Sequence, residues 1–258
     1  MKIVIKFLDQ LFNWKWAILF VLIFIFSLRT RNLLIEYAAF INSNLNLWDI
    51  WIGVSGDPIL LLYLMVPVWF LSSCLSIKEA WNMNLLARVG SWQRWVWYSV
   101  KMFSPIVAVA LFLLGVVSLL LSITLPYEPG WSTFAEAPIT TFNQMSALSY
   151  ESGITPNAAV LLQFILLYLF AITAHAFLSA LYLLYNHMGF ISTVYFSIYL
   201  YMLVTFRFFQ SDPRWILYNY MTFPSSYGTY GAIFPAFIVL LGFLALSVYI
   251  LPLWKKRR

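Results

Sequence analysis

Charge is the scarcest commodity in this sequence. Of 258 residues only 9% are Asp, Glu, Lys or Arg, against about 25% in an average soluble domain. The composition is 63% hydrophobic and 20% aromatic, more apolar surface than a soluble chain of this length can hide, so a cytosolic globular enzyme is excluded. Disorder and a nucleic-acid-binding module are excluded on the same ground. Cysteine is nearly missing. Cys74 stands alone in an apolar run, so no internal disulfide forms, and it reads as a small buried hydrophobe. The histidines are His175 and His187, 12 residues apart. On one helix that is about 18 Å of rise, too far to share a metal. There is no HExxH and no paired-cysteine zinc pattern. No glycine precedes a lysine anywhere, so the GxxxxGK[ST] loop that cradles ATP phosphates is absent. No cofactor is implied.

What the chain has instead is long apolar runs. A bilayer crossing needs about 20 apolar residues, and six segments qualify: 16–28, 59–77, 102–125, 158–185, 188–206 and 232–253. None contains Asp, Glu, Lys or Arg, each of which would cost about 2.5–3.5 kcal/mol at a helix centre. The first segment is short and reads as continuing past Arg29 and Arg31 into Leu33–Ile41, with the arginines reaching toward headgroups. Ser27-Leu28-Arg29-Thr30 is a poor cleavage site, so this segment reads as a retained crossing and not as a signal peptide. The fold class is therefore all-α: one polytopic transmembrane domain over residues 1–258 with six transmembrane helices. With the N-terminus inside, the inner face holds 11 of the 15 basic residues and two acids, and the outer face holds four basic residues and seven acids. The positive-inside rule then places both termini in the cytoplasm.

Three pieces lie outside the crossings. In residues 1–15, Ile3, Val4, Phe7, Leu8, Leu11 and Phe12 share a helical face, predicting an amphipathic interfacial helix. Residues 78–95 form the longest inner connection. Lys78 to Arg88 predicts about three helical turns ending near Gly90, a residue suited to a left-handed C-cap, and Ser91 suits the N-cap of the helix that starts at Trp92. Trp81 and Leu85 stand i, i+4 on one face, an apolar pair that needs a partner surface. Residues 207–231 read as an outer hairpin. In it a short apolar helix starts at Pro213, and Pro224 through Gly231 turns the chain. The connection between crossings four and five is only Asn186-His187.

Two residues invite catalysis. His175 sits near the middle of crossing four, and an intramembrane histidine is a functional candidate by default. No carboxylate falls in any of the six segments, so it reads as a neutral imidazole hydrogen-bonded to a neighbouring helix, and as a candidate on a translocation path. Gly53-Val54-Ser55-Gly56 resembles the nucleophile motif of rhomboid intramembrane proteases. Ser55, however, reads as part of an outer loop before crossing two, with Asp57-Pro58 starting the helix. A catalytic serine needs a sheltered pocket and a base within about 3 Å.

The layout resembles the permease subunits of ABC-type exporters, in the superfamily often called ABC-two. The local match is Glu79 followed by Leu85-Leu86-Ala87-Arg88-Val89-Gly90-Ser91-Trp92-Gln93-Arg94-Trp95, similar to the family's leucine-x-arginine-x-glycine-serine-x-arginine stretch entering crossing three. Position 92 departs from the pattern, with tryptophan where a basic residue is common. The resemblance implies a bacterial cell-membrane permease with no ATP site of its own. It would work with a cytoplasmic ABC ATPase subunit and a second permease chain, identical or related. The stretch 78–95 would carry the coupling helix, with Trp81 and Leu85 as packing knobs and Glu79, Arg88 and Arg94 as polar contacts. Crossings rich in Phe, Tyr, Leu and Met favour hydrophobic or amphipathic cargo such as peptides, antimicrobials or drug-like molecules. The alternatives are an intramembrane hydrolase of rhomboid-like type and a non-catalytic accessory membrane protein.

Overall fold

The computed structural model describes residues 14–81, 90–208 and 213–255. Six helices in it are long and apolar enough to cross a membrane: Trp14–Phe40, Leu47–Ala80, Trp92–Ser122, Pro156–Tyr185, Met188–Phe208 and Pro235–Trp254. They are called the first to sixth span below. No strand occurs among the described residues, and the chain is an all-α, multi-pass membrane protein. The expected amphipathic helix falls on residues 1–13, outside the described residues.

Because hydrocarbon is the solvent, the outward helix faces are apolar. Ile18, Val21 and Ile25 on the first span, Phe196, Leu200 and Val204 on the fifth, and Ile238 and Leu241 on the sixth are all exposed. The inward faces form one large core in which the first, second, third and fourth spans pack together. By parity both described chain ends, the connection 81–91 and Asn186-His187 lie on one face, here the terminal face. The longer connections lie on the other, the cap face.

The first span runs unbroken from Trp14 to Phe40, as its continuation past the two arginines predicts. Its length is about 40 Å, against about 30 Å of hydrocarbon, so its last turns rise into the cap. Arg31 does not reach for headgroups. Its Nε donates to the Leu121 carbonyl at 2.8 Å, and a terminal nitrogen donates to Thr124 Oγ1 at 3.0 Å. The physical reason is that the last carbonyls of the third span have no intrahelical partner, and a guanidinium one helix away supplies donors.

The second span departs most from expectation. It starts at Leu47, 12 residues earlier than the apolar run, and Ser55 is not in a loop. Ser55 is the last residue of a buried helix, Leu47–Ser55, whose N-cap Asn46 and Asp49 form a reciprocal capping box. The chain breaks at Gly56-Asp57 and restarts at Pro58, where Asp57 caps the new helix by accepting from the backbone N–H groups of Ile59 and Leu60, both at 3.2 Å. Two carboxylates, Asp49 and Asp57, are thus buried in the second span, where the apolar segment 59–77 had none.

The cap is ordered by its own helices. Thr133–Glu136 and Gln144–Glu151 fold within the loop after the third span. In the hairpin, 3-10 turns at Pro213–Trp215 and Leu217–Tyr220 precede a true helix, Phe223–Tyr230. The expected turn from Pro224 to Gly231 is this helix. Pro224 sits in its first turn, where a proline is tolerated, and Gly231, at φ 64, supplies the left-handed cap that ends it.

Broken backbone inside apolar surroundings needs partners from the protein; two side chains bond it directly and a third holds the carboxylate that caps it. Gln163 of the fourth span donates to the Ser55 carbonyl at 3.0 Å and accepts from the Phe223 N–H at 2.7 Å. Tyr218 donates to the Gly56 carbonyl. Thr30 of the first span donates to Asp57 Oδ2 at 2.9 Å. Burial, with the Asp57 carboxylate nearby, holds the Tyr218 hydroxyl above its usual pKa, so it remains a donor. Gln163→Leu removes both bonds at once and leaves a buried carbonyl and a buried N–H unpaired. At about 1–3 kcal/mol each, a thermal melt of the purified chain is expected to drop clearly, while Gln163→Glu, which keeps an acceptor, falls less.

Candidate functional site

Two features stand on the inner faces of the second, third and fourth spans, an aromatic joint at the terminal face and a polar node near mid-membrane. The second span ends at Ala80, and Trp81 leaves the helix with φ −83 and ψ 77. Lys78 to Ala80 therefore close the second span and do not open the expected connecting helix. The rest of the expected helix, with Leu85 and Arg88, lies outside the described residues. Gly90 has φ 71, the left-handed geometry expected of it. Ser91 caps the third span by accepting from the Arg94 N–H at 3.3 Å.

Trp81 packs inward. Its ring meets Trp95 edge-on with centroids 5.3 Å apart and Tyr182 edge-on at 5.0 Å. Trp95, itself fully buried, donates its indole N–H to the Ala80 carbonyl at 3.0 Å. That carbonyl is one of the orphans at the end of the second span. The three rings thus tie the ends of the second, third and fourth spans together where the connection 82–89 begins. Gln93 adds the sixth span by donating to the Tyr249 carbonyl at 3.2 Å. Glu79 and Arg94 are exposed on the same face. Of the site residues expected from sequence, the structure places Trp81 in the joint and Glu79 and Arg94 on the surface around it.

The polar node is centred on His175, which is 1% exposed. Ser73 of the second span meets its Nδ1 at 2.7 Å, and Ser99 of the third span meets its Nε2 at 3.0 Å. Ser179, one turn on, approaches Nε2 at 3.3 Å and Ser99 Oγ at 3.1 Å. Hydroxyls can donate to one ring nitrogen and accept from the other, the pair of roles a neutral imidazole requires. Phe103 stacks on the ring at 4.2 Å with the planes 13° apart. This is the histidine bonded to neighbouring helices that the sequence suggests.

Ser55 takes no part in it. Its hydroxyl donates to the Trp51 carbonyl at 2.7 Å, and its own carbonyl is held by Gln163. Gln163 and His175 are 12 residues apart on one helix, about 18 Å of rise. Serine and imidazole are therefore not partners, and the nucleophile–base contact that a hydrolase needs is missing between them.

Ser73 and His175 lie in the wall of a cavity of about 540 Å³. Its walls come from the second to sixth spans and the hairpin, and include Trp69, Phe70, Phe103, Phe170, Tyr195 and Phe243. A second cavity of about 850 Å³ opens in the cap and has a mixed lining, with Arg29, Asp57, Ser146 and Asn219 among apolar side chains such as Leu34, Phe142 and Phe206. No group of His, Cys, Asp and Glu suited to a metal occurs among the described residues. Sequence reading missed Ser73, Ser99 and Ser179, because serines scattered through apolar runs give no signal until the helices are paired. It read Asp57-Pro58 as the helix start that Asp57 caps, but not the burial of that carboxylate. Comparison with protein-family models, with curated proteins and with solved structures finds no match.

Ser99 is shared by the imidazole and Ser179. Ser99→Ala is expected to destabilise the chain by about 1–2 kcal/mol, and the double variant Ser99→Ala, His175→Leu to lose less than the two singles added. Unfolding curves of the three variants check this. Strict additivity would mean that the node is not a unit.

Proposed function

We propose that the chain is the membrane-spanning permease subunit of an ATP-driven ABC-type exporter in a bacterial plasma membrane. It moves hydrophobic or amphipathic cargo, such as a peptide, an antimicrobial or a drug-like molecule, with a separate cytoplasmic ATPase subunit and a second permease chain. The observation that carries this reading is the aromatic joint. The terminal-face connection begins at Trp81, and Trp81 is locked to Trp95 and Tyr182. The same three spans hold the His175 node and its cavity 4–8 residues away, from Trp95 to Ser99, Tyr182 to His175 and Trp81 to Ser73. That is about 6–12 Å along each helix. A push delivered at the connection therefore reaches the cavity walls through three packed helices rather than through a flexible loop.

The placement of both termini in the cytoplasm rests on the distribution of basic residues, which puts the joint on the side where ATP is. In this reading Glu79 and Arg94 offer charge to the ATPase surface, joined by Leu85 and Arg88 from the connection. Trp81 acts from inside as the element that transmits the movement. His175 borders the cargo cavity.

The test is co-purification. A tagged chain is expected to bring down an ATPase that carries the phosphate-cradling loop, encoded beside it. Glu79→Arg or Arg94→Glu is expected to weaken that association about tenfold or more without lowering the melting temperature. Trp81→Ala is expected to leave association largely intact and to uncouple ATP hydrolysis from export. A chain that purifies free of any ATPase and remains active in the membrane would instead support an accessory role.

A further inference from the structure

The polar side chains around the cavity beside His175 direct their hydrogen bonds into the protein. Ser73 and His175 bond each other, and Thr173 donates to the Leu240 carbonyl. Tyr195 donates to the Val66 carbonyl, Tyr201 to the Trp215 carbonyl and Tyr220 to the Arg214 carbonyl. The three tyrosines thus give the cavity their rings and give their hydroxyl protons to backbone. Among the described residues, charge enters the lining only at the hairpin end, with Arg214, which is exposed. An occupant that carried buried polar groups would lose its hydration and find no free donor in return.

The shape of the cavity narrows the choice further. The fourth span lines it from Phe170 to Leu178, the second from Val66 to Ser73 and the fifth from Tyr195 to Met202, stretches of about 10–12 Å. At about 540 Å³, a cavity of that height has a mean section of about 50 Å² and is about 7 Å across. A single polymethylene chain is about 4 Å across at van der Waals contact. It would leave much of the section empty, and a void forfeits the dispersion contacts of the atoms that line it. A fused ring system is broad enough to fill the section. Phe70, Phe103, Phe170, Phe177 and Phe243 offer it flat apolar surfaces to pack on.

Position decides the route and the charge. Phe170 is at the middle of the fourth span, 14 residues from Pro156 and 15 from Tyr185, a depth at which a charged group is expensive. The fifth span packs against the second and fourth, and the sixth against the third and fourth. At the rim between them Tyr201 of the fifth span and Val239 and Phe243 of the sixth are exposed. The cavity meets the hydrocarbon there.

From these observations we infer that the cavity binds a compact, uncharged polycyclic hydrocarbon skeleton, with no polar group in its buried part, that enters from the bilayer between the fifth and sixth spans. The inference deepens the permease reading by naming a class of cargo. It rests on that reading only for regarding the bound molecule as cargo, since occupancy is a property of this chain alone.

The experiment uses the full chain in lipid nanodiscs without ATPase or nucleotide, so a failure of export and a failure of binding are read separately. Three probes carry the same photoreactive diazirine: a saturated tetracyclic hydrocarbon, a linear alkane of equal carbon number and the tetracycle bearing a carboxylate. Mass spectrometry maps the adducts. The tetracycle is expected to label the peptides covering Phe170–Leu178 and Tyr195–Met202 saturably and about tenfold more strongly than the alkane, because a rigid skeleton loses no chain rotors on entering. The carboxylate is expected to label them about tenfold less than the tetracycle. Ala174 lines the cavity and is half-buried, so Ala174→Trp fills it and is expected to abolish labelling by the tetracycle. Val239→Trp, at the exposed rim, is expected to slow that labelling several-fold without touching the core. Equal labelling by tetracycle and alkane would overturn the proposal, because the cavity would then be a place for lipid chains. Equal labelling by the carboxylate would overturn it as well. So would labelling unchanged in Ala174→Trp or, should that variant fail to fold, unchanged in Val239→Trp.

Discussion

A polar group buried in hydrocarbon has no water to turn to, and its partner must come from the chain itself. The inner architecture of this protein follows from that demand, which the fourth span meets twice before adding an aromatic contact at its end. Near the cap, Gln163 holds the broken backbone at Ser55 and the hairpin at Phe223. Twelve residues on, His175 gathers Ser73 and Ser99 from the second and third spans. Seven residues further, Tyr182 closes the aromatic joint with Trp81 and Trp95. His175 and Tyr182 are separated by almost two full helical turns and so lie on one face. The fourth span is accordingly the spine against which the second and third are registered.

This arrangement explains how an apolar chain specifies one packing among many. Lipid tails are as apolar as leucine, so hydrophobic burial does little to choose between helix neighbours in a membrane. Small residues and hydrogen bonds do choose. Ser73, Ser99 and Ser179 are small enough for close approach and polar enough to require it. Arg31 does the same at the cap by binding the end of the third span. Among the described residues the fifth and sixth spans carry no comparable node with each other, and they close the apolar cavity against the second, third and fourth.

Legibility in the sequence divided along physical lines. Six spans, the length of the first, the Ser91 cap, the left-handed Gly90 and the mid-membrane histidine were readable because hydropathy, capping residues and glycine act locally. The broken second span was not, because Leu47–Ser55 is apolar enough to pass as loop or helix and only its buried contacts decide. Arg31 was misread because its partner, Leu121, is 90 residues away. Trp81 looked like a knob for another protein, since its i, i+4 partner Leu85 was visible while its true neighbours, Trp95 and Tyr182, are distant in sequence. The serines around His175 were invisible for the same reason. Glu79 and Arg94 were found as surface charges, which needs no tertiary information. Their role as docking contacts, and that of Leu85 and Arg88, belongs to the proposed exporter.

In the proposed exporter the joint at the terminal face and the cavity at mid-membrane are two ends of one mechanical unit. If so, a ligand in the cavity and a partner at the joint must influence each other's binding reciprocally. The direct measurement is the affinity of the cavity ligand for the reconstituted complex, taken with and without ATP bound to the ATPase. A coupled unit changes that affinity by about fivefold or more, and Trp81→Ala abolishes the change. An affinity identical in both states, with the ATPase demonstrably bound, would contradict it.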